Sequence, residues 1–197
     1  MRIIIVSGFL GSGKTTLILN VAREMVTKGS KVAIIENDFG QVNIDSQMMT
    51  RAGLTVREMS MGCICCTLGP DFLMNLKELA VRYSPETIIV EPSGIANSDT
   101  ILSALDHYTG PPIESVKAIC IVDGARFFSM IPAFEVGLLN NLRAADLICL
   151  NKVDNMKNEE IVQIDEWLES KVPDRPVVHL SLKEGMGFNK VLEEVGI

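Results

Sequence analysis

Histidine, aromatic residues and basic charge are all scarce in this chain of 197 residues. Only two histidines are present, His107 and His179, which excludes a metal store built on histidine clusters. Lys and Arg number 18 against 25 Asp and Glu, so the formal net charge is -7. That balance argues against a general attraction to nucleic acid or to an anionic membrane, although a small local anion site is compatible with it.

Long apolar runs and export features are also missing. The longest apolar runs, such as Ala118–Val122 and Ile88–Val90, are as short as strands, whereas a membrane span needs about 20 residues. No small-residue cleavage pattern follows the N-terminus. We therefore expect a cytoplasmic protein, in which five cysteines are an odd number and a poor basis for a disulfide framework.

Short apolar runs alternate with segments of helical spacing along the chain. Because the apolar runs are continuous, the strands should be buried on both faces of a sheet. This predicts an α/β fold, a three-layer sandwich with a mostly parallel central sheet, in a single domain over residues 1–197. Strands are predicted at Arg2–Ser7, Lys31–Glu36, Thr87–Val90, Val116–Asp123, Asp146–Asn151 and Val177–Ser181. Helices are predicted at Lys14–Thr27, Pro70–Tyr83, Ser98–Asp106, Phe134–Arg143 and Asn158–Lys171.

The most specific motif is a phosphate-loop pattern, two glycines separated by four residues and followed by Lys and Thr, between the first strand and the first helix. Backbone N–H groups and the positive end of a helix can surround phosphate oxygens there. Lys14 would reach the β- and γ-phosphates, and the Thr15 hydroxyl would bind Mg²⁺. The pattern predicts a P-loop NTPase sandwich that binds a nucleoside triphosphate through Gly8, Gly11, Ser12, Gly13, Lys14, Thr15 and Thr16.

A second motif, Asn151-Lys152-Val153-Asp154, follows a late predicted strand. The Asp154 carboxylate could accept two hydrogen bonds from N1–H and the 2-amino group of guanine, which adenine lacks. This favours GTP, although the same four residues also make a good turn and helix cap. Ser181, at the next strand end, could add a base contact or could be merely structural.

Acidic residues at strand ends could serve hydrolysis. Glu91 heads a segment with Pro92 and Gly94, where a carboxylate near Mg²⁺ and a glycine N–H near the γ-phosphate are expected. Asp38 could orient the attacking water or contact the metal. Either carboxylate could instead be a solvated cap. Asp123 is also at a strand end, and the sequence assigns it no role beyond lining the sheet edge.

Three clustered thiols, Cys63, Cys65 and Cys66, can chelate a soft or borderline cation such as Zn²⁺. In an extended segment two of them would face one side and the third the other, so Glu36, Asp38, water or a partner subunit would have to complete the site. Such an open site suits metal transfer. A buried apolar cluster, a redox pair and a permanent structural zinc are the alternatives.

With these motifs in this order, the sequence resembles the CobW-like GTPases of the SIMIBI class. The resemblance implies a GTP-hydrolysing metallochaperone that handles zinc or cobalt, with Cys63, Cys65 and Cys66 in the metal motif and Glu36 beside it. It departs from the family at Pro92, which implies slow hydrolysis, and at Phe9, where the class's deviant loops carry a lysine. The smaller C-terminal domain usual in the family is not expected here.

Two functions follow from these expectations. The first is a GTPase that couples its nucleotide state to delivery of Zn²⁺ or Co²⁺ for maturation of a metalloenzyme or corrinoid protein, with a homodimer expected from the class. The alternative is a nucleotide-gated regulatory module that docks on such a client with little turnover.

Overall fold

A computed structural model describes residues 1–36, 55–58, 70–92 and 98–197. Helices and strands alternate through these ranges. The strands are β1 (Arg2–Ser7), β2 (Val32–Glu36), β3 (Thr55–Glu58), β4 (Thr87–Glu91), β5 (Ser115–Asp123), β6 (Leu147–Asn151) and β7 (Val177–Leu180). The α-helices are α1 (Lys14–Thr27), α2 (Pro70–Tyr83), α3 (Ser98–Leu105), α4 (Phe127–Ala144), α5 (Asn158–Lys171) and α6 (Phe188–Glu194). Short 3₁₀ turns, Gly124–Arg126 and Val153–Asn155, follow β5 and β6.

The described strands form one sheet in the order β3-β2-β4-β1-β5-β6-β7, and every neighbouring pair is parallel. The predicted sheet is therefore confirmed. β1 is central, with β2 to β4 on one side and β5 to β7 on the other. The strand order reverses beside β1, and open parallel sheets bind ligands at the carboxyl ends of strands next to such a reversal.

Helices cover both faces of the sheet, which confirms the three-layer sandwich. Neighbouring residues of β1 point into different layers: Ile4 and Val6 pack with α1 and α6, and Ile3 and Ile5 pack with α2 and α3. On the sheet face that Ile3 and Ile5 share, α4 and α5 cover β5 and β6. Burial on both faces explains why these strands are continuous apolar runs, since each residue loses its contact with water.

Helix α4 begins at Phe127, where the sequence predicted Phe134. Pro132 lies inside α4 and removes one backbone N–H from the helix, a feature that usually marks a boundary. The added residues are held by packing, because Phe127 is buried and meets Trp167 edge to face with ring centroids 5.1 Å apart. The short elements β3 and α6 were not predicted, since four and seven residues are too few for a clear period.

Two further expectations bear on the core and on membranes. Cys120 and Cys149 are confirmed as core residues, both fully buried in neighbouring strands. In the ranges that the structure describes, no helix combines the length and apolar character needed to cross a bilayer.

Candidate nucleotide-binding site

The loop between β1 and α1 lies at the carboxyl edge of the sheet, beside the reversal of strand order. We call residues 8–15 the phosphate loop. A turn closes within it, where the Ser12 N–H donates to the Phe9 carbonyl oxygen over 3.1 Å. Gly13 has φ 108°, and a Cβ there would lie 2.5 Å from Nδ2 of Asn151. Glycine is therefore required at this position by conformation and by space.

The first turn of α1 is suited to an anion. No described side chain caps this helix, and none of its first residues is acidic. The N–H groups at the start of a helix lack partners within the helix, and together they carry a partial positive charge. Phosphate oxygens can accept hydrogen bonds from these N–H groups, and their negative charge is attracted to the positive end of the helix. Thr16 belongs to this turn and is exposed.

Lys14, Thr15 and Glu91 come together where β1 and β4 end side by side. Oγ1 of Thr15 donates to the Glu91 carboxylate at 3.2 and 3.4 Å from its two oxygens. Nζ of Lys14 lies 3.7 Å from Oε1 of Glu91 and donates to the Phe9 carbonyl oxygen over 3.4 Å. The Lys14 side chain is only 6% exposed. This groups an ammonium, a hydroxyl and a carboxylate at the start of α1.

Three side chains hold consecutive carbonyl groups of the phosphate loop. Leu10 O accepts from Nη2 of Arg126 over 2.8 Å, Gly11 O from Nζ of Lys152 over 2.7 Å, and Ser12 O from Nδ2 of Asn151 over 2.8 Å. In a trans peptide the C=O and the following N–H point in opposite directions. Anchoring these carbonyls therefore directs the N–H groups of the next residues away from the anchors.

Asp123, at the end of β5, organises two of these donors. Its Oδ2 accepts from Nε of Arg126 over 2.7 Å and from Nζ of Lys152 over 2.8 Å. Burial alone would raise the pKa of Asp123, but the hydrogen bonds and positive charges of Lys152 and Arg126 outweigh it and hold that pKa below its usual value. Oδ1 is buried and has no partner among the described residues.

The Asn151–Asp154 turn is fastened to the phosphate loop by its first two residues. Lys152 has φ 67°, a left-handed conformation that is rare for a lysine and is held here by its two short hydrogen bonds. Asp154 is half-buried, and no hydrogen bond or ion pair joins it to the described residues. Ser181 is fully buried, and its hydroxyl accepts the Glu184 N–H over 3.3 Å within its own turn.

The sequence matches one protein family over most of its length. Residues 2–179 match the model of the CobW/HypB/UreG nucleotide-binding domain. The chain belongs to this family.

Relatives and solved structures agree with the match to CobW/HypB/UreG. The zinc chaperone YeiR of Escherichia coli is 31% identical over 176 residues, which are 89% of this chain and 53% of YeiR. The crystal structure of the hydrogenase maturation factor HypB from Archaeoglobus fulgidus has a TM-score of 0.70 at 18% identity, covering 99% of this chain and 88% of that one. The Zn(II)-bound YjiA GTPase of E. coli has a TM-score of 0.63 at 22% identity, covering 96% and 62%. At identities of 18% and 22%, the likeness to these two structures shows only that this chain shares their fold.

The chain spans between 43% and 62% of the length of five curated relatives that it matches. Those relatives therefore contain sequence beyond the nucleotide-binding domain that this chain shares with them.

Several predicted residues of this CobW/HypB/UreG chain lie outside the described ranges: Asp38, Cys63, Cys65, Cys66 and Gly94. Glu36 is described through its backbone, which pairs with Glu91 and Glu58 at the carboxyl ends of three adjacent strands. Within the described ranges, no group of three His, Cys, Asp or Glu residues could hold a metal ion.

Asp123 and Arg126 are the site residues that the sequence left unassigned. Asp123 pairs with Asn151 in the β5–β6 register, so a carboxylate ends the strand next to the Asn-Lys-x-Asp motif. That neighbourhood was the available signal, because the ends of adjacent parallel strands share one edge of the sheet.

Proposed function

We propose that this chain binds GTP with Mg²⁺, hydrolyses it slowly, and couples its nucleotide state to the binding and delivery of a transition metal. The observation that carries the nucleotide part is the meeting of Lys14, Thr15 and Glu91 at the start of α1. Membership of a nucleotide-binding family supports the same site.

The residues present fit a Mg²⁺–triphosphate. The uncapped first turn of α1 suits phosphate oxygens, and Lys14 supplies a buried ammonium beside them. Thr15 Oγ1 and the Glu91 carboxylate are oxygen donors of the kind that Mg²⁺ takes. When bound, Mg²⁺ would neutralise charge on the β- and γ-phosphate oxygens. We assign the Gly94 N–H to the γ-phosphate and Asp38 to the attacking water.

Guanine recognition rests on Asp154. Asn151 and Lys152 are occupied with the phosphate loop, whereas Asp154 has no described partner. Its carboxylate can accept from both N–H groups on guanine's Watson–Crick edge, and an adenine nucleotide would leave it unpaired. We place the further base contact in the turn that begins at Ser181 and not on Ser181 itself, which is fully buried and whose hydroxyl accepts the Glu184 N–H.

The metal would be cargo, and we assign it to Cys63, Cys65 and Cys66 with Glu36. Thiolates favour Zn²⁺ or Co²⁺ over Mg²⁺ and Ca²⁺, and relatives such as YeiR carry the name zinc chaperone. The two core thiols do not compete, because burial raises the pKa of Cys120 to about 12 and that of Cys149 further. The client would be a metalloenzyme or corrinoid protein under maturation.

Phosphate release under multiple turnover tests the enzymatic part, with fluorescent GTP and ATP analogues to measure affinity. We expect tighter binding of GTP than of ATP, slow release of phosphate, and about a 10- to 100-fold loss of GTP affinity in Lys14→Ala, which removes a buried charged donor. Lys28→Ala, just after the other end of α1, is the matched control. A chain that binds no nucleotide would overturn the proposal, and binding with negligible turnover would favour the regulatory alternative.

Metal stoichiometry tests the coupling. Zn²⁺, Co²⁺ and Ni²⁺ should be titrated into protein loaded with GDP or with a non-hydrolysable GTP analogue. We expect tighter metal binding with the GTP analogue and its loss in Cys65→Ala, whereas Cys120→Ala in the core should leave it unchanged. Equal affinities in the two nucleotide states would refute the coupling.

A further inference from the structure

The Asp123 carboxylate connects the phosphate loop to the turn after β6 through two cationic side chains. Its side chain is 1% exposed, and Oδ2 alone accepts from two cations. Both cations then reach the loop backbone, Arg126 at Leu10 O and Lys152 at Gly11 O. We call this set of three side chains the Asp123 clamp.

Arg126 depends on Asp123 for its direction. Its side chain is half-exposed, and a long exposed side chain samples many rotamers unless something holds it. Nε bonds Asp123 and Nη2 bonds Leu10 O, so the rigid guanidinium joins carboxylate and carbonyl in one geometry. A Cβ on Gly11 would come within 2.9 Å of Nη2, which shows how closely the guanidinium packs on the loop.

Lys152 is held in the same way. Its Nζ lies 2.8 Å from Oδ2 of Asp123 and 2.7 Å from Gly11 O, and its backbone is left-handed. The residue belongs to the turn that ends in Asp154. The clamp therefore connects the two parts of the proposed GTP site, the phosphate loop and the Asn151–Asp154 turn.

We propose that Asp123 is a positioning residue for the nucleotide, which holds Arg126 and Lys152 against the phosphate loop so that the loop grips the β-phosphate. This inference rests on the proposed function, because it needs a guanine nucleotide in this site. Asp123 itself acts through the two cations and the loop carbonyls.

Positioning and plain electrostatics make opposite predictions. Replacing Asp123 with Asn removes one negative charge from a site for an anionic ligand, so electrostatics alone would strengthen nucleotide binding. Loss of positioning would weaken nucleotide binding instead. Without the carboxylate, Arg126 and Lys152 would no longer be held in the geometry that donates to the carbonyls of Leu10 and Gly11. The sign of the change in affinity separates the two effects.

The experiment measures dissociation constants of GDP and GMP for the full chain, using a fluorescent GDP analogue and competition. We expect Asp123→Asn and Arg126→Ala each to weaken GDP binding about tenfold. GMP carries no β-phosphate, so its affinity should change less than about threefold, a split that general destabilisation would not produce. Because both substitutions break one clamp, the double variant should be scarcely weaker than Asp123→Asn.

Arg82→Ala is the matched control, since Arg82 is an exposed arginine with its own ion pair to Glu78, on the distant helix α2. Arg126 lies on a surface turn, so Arg126→Ala carries the test if Asp123→Asn fails to fold. Unchanged or tighter GDP binding in the folded variants, or an equal loss for GDP and GMP, would overturn the inference. A wild-type chain that binds no guanine nucleotide would overturn the proposed function and the inference together.

Discussion

Nδ2 of Asn151 donates a 2.8 Å hydrogen bond to the carbonyl oxygen of Ser12, which joins the end of β6 to the phosphate loop. Oδ1 of the same amide accepts the Leu182 N–H over 3.3 Å. A single buried side chain thus ties together the phosphate loop, the Asn151–Asp154 turn and the turn after β7.

Replacement of Asn151 by Ala should therefore affect stability and nucleotide binding together. The buried Ser12 carbonyl and the half-buried Leu182 N–H would lose their partners, and a buried group left unsatisfied costs about 1–3 kcal/mol. Urea unfolding should show a loss in that range, and GDP affinity should fall. Asn155→Ala, an exposed residue four positions on, is the control and should change neither quantity appreciably. Equal unfolding free energies for the two variants would contradict the role of Asn151.

Glu91→Gln should separate turnover from binding. The amide keeps the shape of the carboxylate but loses the charge that faces Thr15 and Lys14. We expect phosphate release to fall about tenfold or more, whereas GDP affinity without Mg²⁺ stays within about threefold. Glu86→Gln, just before the other end of β4, is the matched control. Wild-type turnover in Glu91→Gln would remove Glu91 from the catalytic set.

The clamp also predicts how stability depends on pH. The pKa of Asp123 lies below its ordinary 3.8 in the folded chain. A carboxyl group of this kind stabilises the fold above its unfolded-state pKa, and the contribution disappears as the pH falls through the lower folded-state value. The excess stability of the wild type over Asp123→Asn should thus be constant from pH 7 to about pH 5 and shrink below about pH 4.

Urea unfolding at each pH measures this difference. Asp174→Asn serves as control, since Asp174 is exposed and forms no ion pair with the described residues. A wild-type advantage over Asp123→Asn that stays constant down to about pH 2 would show that the Asp123 charge does not stabilise the fold.

Gly13→Ala tests the tight junction of loop and strand. The substitution adds backbone strain at φ 108° and places a methyl group 2.5 Å from the Asn151 amide. Gly29→Ala is the control, because Gly29 has φ 88° with nothing within 4 Å. We expect Gly29→Ala to cost about 1 kcal/mol from strain and Gly13→Ala to cost clearly more and to abolish tight GDP binding. Equal losses of stability would mean that the contact with Asn151 is unimportant.

Local sequence predicts the layers and part of the site. The helices α1 and α5 have their predicted bounds, because apolar spacing and flanking glycine or polar residues agree there. Lys14 and Thr15 follow from a motif that combines a strand, a glycine turn and a helix. Their approach to Glu91 follows from the position of that residue at a strand end.

The Asp123 clamp could not be predicted in the same way. The sequence placed Asn151 and Lys152 in a nucleotide-binding motif, and it did not show that their side chains bond backbone carbonyls 139 and 141 positions away. Such contacts depend on the pairing of β5 with β6 and on the left-handed backbone of Lys152, neither of which is a local property. The predicted start of α4 was wrong for a similar reason, since tertiary packing of Phe127 outweighs the helix-breaking tendency of Pro132.

The anchored carbonyls of Leu10, Gly11 and Ser12 have a consequence for affinity. Fixing the backbone of one residue costs about 1–2 kcal/mol of conformational entropy. Since Arg126, Lys152 and Asn151 already hold these three residues in the folded chain, that entropy is lost during folding and not on ligand capture. Because the loop is preorganised, little of the free energy gained from contacts with the ligand is spent on ordering the loop. One nucleotide can also replace another without a change in the loop backbone.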